Sequence, residues 1–344
     1  MKQLLNTLYV MTQGAYLSLD HETVRVEVNG ELKLQAPLHH LGSVVTIGNV
    51  MISPFFLGKC ADDGRAVVIL DRSGRFKCRM VGKTGGNVLL RQSQHDVVRD
   101  RRKTASIAAT FTAGKVKNAR NVLMRSARET SCPDEEKKLR KSADVQADAL
   151  FQLKSPRDVD HVRGLEGEAA AAYFGVFPLM MKPTEREKLP MNGRNRRPPL
   201  DPVNALLSFL YTLVLNDCIS ALEGVGLDPQ LGFLHVPRPG RPSLGLDLME
   251  EFRAFMADRL ALTLMNRRQI TADHFEPRLG GAVYLNEKGR KEVVTAYQKH
   301  KQEEIEHPLL SEKSPLGLVP HLQARILARH LRGDLESYIP FIHP

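Results

Sequence analysis

Four side chains in this 344-residue chain have the types and spacing to do chemistry together. Glu166 lies in RGLEGEAAAAYF, a segment with helical spacing whose small residues let a substrate or another backbone approach closely. His235 lies in GFLHVPRPGRPSL, and an imidazole is both a common metal ligand and a common general base. Asp247 and Glu250 follow in SLGLDLMEEF, three residues apart and so on one face of a helix, with Ser243 as its expected cap. Three carboxylates and one imidazole, drawn from two helices and a loop, make a donor set for Mg2+ or Mn2+, the nitrogen shifting the balance toward Mn2+. Such an ion lowers the pKa of a bound water or hydroxyl and stabilises charge on a phosphoryl group.

Taken singly, each of the four is better explained as a structural residue. Glu166, like Glu168, fits a solvated helix face, and His235 fits a loop histidine with a local hydrogen bond. Acids near a helix start complement its dipole without further purpose, and Glu251 fits that account well. Against it, Asp247 and Glu250 sit among leucines and a methionine, where a buried carboxylate needs a partner.

Basic residues surround these positions. Arg238 and Arg241 follow His235 in a proline-rich stretch suited to phosphate contacts. Residues 182–199, KPTEREKLPMNGRNRRPP, read as an irregular loop. Its Arg194, Arg196 and Arg197 read either as a phosphate-facing clamp or as partners of acids on a neighbouring helix. Lys117, Arg120, Arg125 and Arg128 lie along one helix, where a solvated face is a simpler account than a track for DNA.

The elements that must position these groups fall into two parts. Residues 1–88 read as β: residues 24–35, VRVEV-NG-ELKLQ, alternate apolar and polar side chains around Asn29-Gly30, a pair suited to a two-residue hairpin turn. SVVTIGNVMI and AVVILDRSGRFKCRMV add short strands, and Ser53-Pro54 opens a short capped helix. From residue 89 the apolar spacing becomes three and four. VRDRRKTASIAATF, KVKNARNVLMRSARET and DEEKKLRKSADVQADALFQL read as three helices, and SLGLDLMEEFRAFMADRLALTLMNRR as another. DPVNALLSFLYTLVLNDCISALEGVG is apolar all round and is expected to cross the core, and HLQARILARHLRGDLESYI closes the chain. The fold class is α+β: a small, sandwich-like N-terminal β domain (1–88) followed by a larger all-helical catalytic domain (89–344).

The formal net charge of +10 makes acidic polymers, nucleic acid first, the expected partners. The four cysteines form no C-x-x-C pair, which argues against a zinc finger and for reduced thiols in the cytoplasm. No apolar run reaches the ~20 residues of a membrane span, and the N-terminus does not read as a signal peptide, so no membrane is expected. There is no G-x-x-x-x-G-K-[ST] loop, no G-x-G-x-x-G after a strand and no G-x-S-x-G elbow.

Four segments, RGLEGEAAAAYF, NGRNRRPPLDPVNALLSFLYTLV, LGFLHVPRPGRPSLGLDLMEEFR and the closing ESYIPF, together resemble the CRISPR adaptation integrase, the universal CRISPR-associated protein that inserts new spacers. The RNRRPP wording resembles the version that accompanies type I-C systems. The resemblance implies a metal site in the helical domain and a homodimer formed through the N-terminal one. Glu166 matches the glutamate of the family's E-G motif, His235 the histidine of its G-F-L-H motif, Glu250 the acid of its D-L-x-E/D motif, and Asp247 the aspartate three residues earlier. Glu166, His235 and Glu250 would then bind the metal, while Asp247 supports the site or shares the ion.

The implied reaction is a transesterification, in which the 3′-hydroxyl of a short double-stranded DNA attacks a phosphodiester of a CRISPR repeat. Water in place of the hydroxyl gives strand cleavage, and a small companion adaptation protein, itself a dimer, bridges two integrase dimers. The competing reading is a non-catalytic nucleic-acid-binding scaffold, which gains if Glu166 lies far from His235 and Glu250.

Overall fold

A computed structural model describes residues 6–83, 88–195 and 198–343 of the chain. Eight strands come first: β1 (Asn6–Val10), β2 (Ala15–Asp20), β3 (Thr23–Val28), β4 (Glu31–Pro37), β5 (Leu41–Ile47), β6 (Val50–Ile52), β7 (Ala66–Leu70) and β8 (Phe76–Met80), with α1 (Pro54–Asp62) between β6 and β7. They form two sheets, ordered β1-β5-β7-β8 and β4-β3-β2-β6. The expected hairpin is β3–β4, turned by Asn29 at φ 53° and Gly30 at φ 81°, and Ser53 caps α1 by accepting the Phe56 N–H.

The central strands of sheet β1-β5-β7-β8, β5 and β7, are buried on both faces, which explains why SVVTI and AVVIL are largely apolar rather than alternating. On one face Val44 and Val67 join Leu17, Val24, Val26 and Phe56 in a core shared with the other sheet. On the other, Val45, Ile47, Val68 and Leu70 pack into the core of the helical region. The β region is therefore one layer deeper than a free-standing sandwich.

The helical region comprises α2 (Val88–Arg99), α3 (Arg101–Glu129), α4 (Pro133–Gln152), α5 (Val159–Val176), α6 (Pro183–Lys188), α7 (Pro202–Val225), α8 (Ser243–Glu250), α9 (Arg259–Asn266), α10 (Glu287–Lys301) and α11 (Val319–Leu331). Two short antiparallel hairpins lie among them, β9 (Phe275–Pro277) with β10 (Val283–Leu285) and β11 (Glu304–Glu306) with β12 (Lys313–Pro315), so the region is not all-helical.

Several boundaries differ from the expected ones, each for a local reason. The first two expected helices are one, α3, whose start is set by the Asp100 side chain accepting the Arg102 and Lys103 N–H groups. Gly114 does not break it: a Cβ there would come within 2.9 Å of Pro340 and 3.0 Å of Glu251, so the glycine serves close packing. The stretch from Ser243 onward is not one helix, because α8 ends at Glu250 and a π-helical turn, Arg253–Asp258, precedes α9. Ser243 is the first residue of α8 rather than its cap, and its hydroxyl bonds the Val236 carbonyl at 3.3 Å. The loop 182–199 holds the short α6, started by Pro183. After α11 the chain turns at Gly333, φ 85°, and the final residues run back across α3 and α8 without helix.

α7 is capped by Asp201, which accepts the Asn204 N–H at 2.8 Å, and ends at Gly226 with φ 88°. Contrary to expectation, it has the length and hydropathy of a membrane span, but 72% of that apolar window is buried inside the protein. It is the core helix that its all-round apolar pattern implies.

Candidate active site

The site begins with a glycine. At Gly232 an added Cβ would stand 2.6 Å from the Asp247 Oδ2 and 2.7 Å from the Ser243 backbone, so the loop before His235 can lie directly on α8. Three successive amides then donate to one carboxylate: Phe233 N–H (2.6 Å) and Leu234 N–H (3.0 Å) to Oδ2 of Asp247, and His235 N–H (2.9 Å) to Oδ1. The imidazole Nδ1–H donates to the same Oδ1 at 2.7 Å. Asp247 is fully buried, and both its oxygens are engaged in fixing the loop and the ring. It is a positioning residue: it leaves His235 Nε2 directed at Glu250, 3.9 Å from Oε1. From α5, Arg163 adds a second tether by donating to the Leu234 carbonyl at 2.7 Å.

Glu250 ends α8 almost wholly buried. One guanidinium nitrogen of Arg253 lies 2.7 and 3.0 Å from its two oxygens, and the Lys115 ammonium of α3 lies 2.8 Å from Oε2. Burial would raise the pKa of this carboxyl, but Arg253, Lys115 and His235 together outweigh it and hold the group well below the usual carboxylate range. Glu166 projects from α5 into the same place and also pairs with Lys115. Two carboxylates far apart in the chain thus meet at one cationic nitrogen.

Behind them lies a support of stacked groups. Arg253 lies over the Tyr211 ring (4.4 Å to its centre), and Tyr211 donates to Asp258 at 2.5 Å. Burial pushes the Asp258 carboxyl up to about 6, against the opposing hydrogen bond from Tyr211 and the charge of Arg253. Arg194 lies over Tyr211 and Phe174, 5.3 and 5.6 Å from the ring centres, and donates to the Asn204 Oδ1 at 2.7 Å. Aromatic faces and an amide hold it at the cleft, and its charge helps to lower the pKa of the buried Asp258 carboxyl against desolvation. Lys115, Glu166, Arg194, His235, Glu250 and Arg253 all line one open cleft of about 470 Å³.

Four expected residues therefore come together, with Asp247 one layer back. Arg238 is exposed on the loop beyond His235, and Arg241 reaches the Val236 carbonyl at 3.4 Å. Arg196 and Arg197 lie outside the described residues. On α3, Arg120 donates to the Ala143 carbonyl and Arg125 pairs with Glu129, which leaves little of a DNA track. Glu168 is solvated as expected. Glu251 is not: it is fully buried and accepts from Tyr338, from the Phe341 N–H (2.7 Å) and from Gln323 (2.9 Å).

Sequence reasoning missed Lys115, Arg163, Arg253 and Tyr211. The i, i+3 spacing of Glu250 and Arg253 was a usable signal; Lys115 had none nearby.

Among the described residues no three His, Cys, Asp or Glu side chains stand ready-made as a metal shell, and Lys115 lies between the two expected acidic ligands. The donors nonetheless suit a divalent cation. Both carboxylates reach a single positive charge, Glu250 is kept ionised, and the imidazole faces them with Nε2.

The family described as CRISPR associated protein Cas1 matches residues 8–299 of the chain. The CRISPR-associated endonuclease Cas1 1 of Moorella thermoacetica is 55% identical over 340 residues, 99% of each chain. In fold, the chain is similar to a Cas1 protein of Thermotoga maritima, with a TM-score of 0.81 at 23% identity over 95% of this chain and 97% of that one. It is similar also to a casposase solved bound to integration product, with a TM-score of 0.83 at 20% identity over 97% and 93%.

Proposed function

We propose, since this chain belongs to the CRISPR-associated Cas1 family, that it is a metal-dependent DNA endonuclease and integrase that inserts short DNA fragments into a CRISPR array. The observation that carries this reading is the meeting of Glu166 and Glu250 on one positive charge beside His235 Nε2, in an open cleft walled by Arg194 and Arg253. The endonuclease name of the Moorella relative supports the nuclease part, and the casposase's bound integration product supports the joining part by fold alone.

Glu166, His235 and Glu250 would hold Mg2+ or Mn2+, which supplies Lewis acidity to a phosphoryl oxygen and eases deprotonation of the attacking hydroxyl. The chain's own groups do the rest. Arg253 keeps Glu250 ionised and fixed in direction. Asp247 holds the imidazole so that Nε2, not Nδ1, meets the site. The cationic wall takes up phosphate charge, with Arg238 and Arg241 on the rim. A DNA 3′-oxygen forms a new P–O bond, the bond to the neighbouring 3′-oxygen breaks, and that oxygen leaves with a proton. Water as the nucleophile cleaves instead of joining.

The same reading divides the chain near residue 88, assigns the N-terminal part to homodimerisation and places the protein in the cytoplasm. In support of the dimer, β4 is an edge strand with Leu32 and Leu34 exposed. The partners are double-stranded DNA and a dimer of the small companion adaptation protein, and the proposed subtype is I-C. A non-catalytic scaffold fits less well, since it gives no reason for two carboxylates to share one charge at the head of a cleft.

The test is a strand-transfer assay with the companion protein, Mn2+, a hydroxyl-ended duplex and a repeat-bearing plasmid. Joining by the wild type and its loss in folded Glu166→Ala and His235→Ala support the reading. Salt-sensitive DNA binding with no transfer in the wild type would favour the scaffold.

A further inference from the structure

Lys115 stands where both proposed acidic ligands point, and it belongs to neither of the elements that carry them. It rises from α3, its side chain only 12% exposed, and its Nζ pairs with Glu166 of α5 and with Glu250 of α8. A divalent ion bound by those carboxylates needs their oxygens at about 2.0–2.6 Å. An ammonium already in contact with both cannot share that position with an ion of like charge.

The groups around it differ in how firmly they are held. Glu250 is gripped by Arg253, and His235 is fixed by Asp247 through ring and backbone. Lys115 hangs on a four-carbon stem, and the cleft of about 470 Å³ opens beside it.

We propose that Lys115 is a built-in competitor for the metal position: ammonium and divalent cation are alternative occupants of the space between Glu166 and Glu250. Resting on the reading above, this makes Lys115 a positioning residue with two effects. It holds two mutually repelling carboxylates in ligand-ready places, and it lowers the apparent affinity for the ion, because each binding event must displace it. Once displaced, its charge stays in the cleft, where phosphate replaces the carboxylates as its partner.

The experiment is calorimetric titration of the full chain with Mn2+ alone, for wild type, Lys115→Met and Lys115→Arg, with folding checked by circular dichroism. Lys115→Met should bind Mn2+ at least about tenfold more tightly, since a like charge within a few ångströms is worth more than one factor of ten at an effective dielectric of ~20. Its melting temperature without Mn2+ should fall, and Mn2+ should raise it by more than in the wild type. Lys115→Arg, which keeps the charge, should bind no more tightly than the wild type. Equal or weaker binding by Lys115→Met overturns the competition while leaving the metal reading intact. Tighter binding by Lys115→Arg overturns it as well, including where Lys115→Met fails to fold. Absence of Mn2+ binding in the wild type and both variants brings down both.

Discussion

Glu250 and Glu251 are neighbours at the end of α8, both buried, and the protein treats them in opposite ways. Glu250 faces the cleft, where Arg253, Lys115 and His235 hold it ionised against its own burial. Glu251 faces the returning chain end, where its partners are a phenol, an amide side chain and a backbone N–H, all neutral. There burial wins, and the carboxyl is pushed up to about 8. Depth alone therefore does not decide what a carboxylate becomes; the charge of its partners does. One face of the helix end carries the proposed phosphate chemistry, while the other clasps the C-terminal segment to α3. Asn118 completes that clasp by donating to the Phe341 carbonyl at 2.9 Å and the Glu251 carbonyl at 2.8 Å.

The largest effect separating the two faces should come from Glu250→Gln. Losing the charge there removes a proposed ligand and leaves Arg253 without its partner, so Mn2+-dependent transfer should drop by about a thousandfold or more. Glu251→Gln should leave it within a few-fold, and comparable losses in both would erase the distinction. Next comes Asp247→Asn: it replaces an acceptor of four donors with a group that must itself donate, and activity should fall about 10–100-fold. Unchanged kinetics in the folded variant would mean that His235 needs no such tether.

The Glu251 face has its own signature in pH. Between the ordinary glutamate value of 4.5 and about 8 the folded protein keeps a proton that the unfolded chain has lost, so this group's contribution to stability declines as pH rises through that window. Asp258, raised to about 6, acts in the same direction at lower pH. From pH 6 to 8.5 the melting temperature of the wild type should fall more steeply than that of Glu251→Gln. Parallel profiles would show the carboxyl to be ionised already. The smallest effect is expected on the rim: Arg238→Ala should weaken DNA binding modestly and reduce the slope of log affinity against log salt by about one. An unchanged slope would remove Arg238 from the DNA path.

What could be read in the sequence was mostly local. The β3–β4 hairpin followed from Asn29-Gly30, α1 from Ser53-Pro54 and the core path of α7 from its all-round apolarity. The pairing of His235 with Asp247 spans only 12 residues, close enough for their two motifs to be read together. Lys115 and Glu166 are 51 residues apart, and Glu251 and Tyr338 are 87 apart. No periodicity links such positions; the packing of α3 against α5 joins the first pair, and the return of the chain end past α8 joins the second. For the same reason Glu251 read as a helix-dipole acid when it is the anchor of the chain end.

The central claim is that Glu166, His235 and Glu250 close on a divalent cation at the head of the cleft. Diffraction from crystals of the full chain soaked in Mn2+, collected at the manganese absorption edge, tests it most directly. The account predicts an anomalous peak about 2.0–2.3 Å from a carboxylate oxygen of Glu166, a carboxylate oxygen of Glu250 and Nε2 of His235, with the Lys115 ammonium moved aside. Lys115 still seated between the two glutamates, with no manganese peak there at saturating Mn2+, would contradict it.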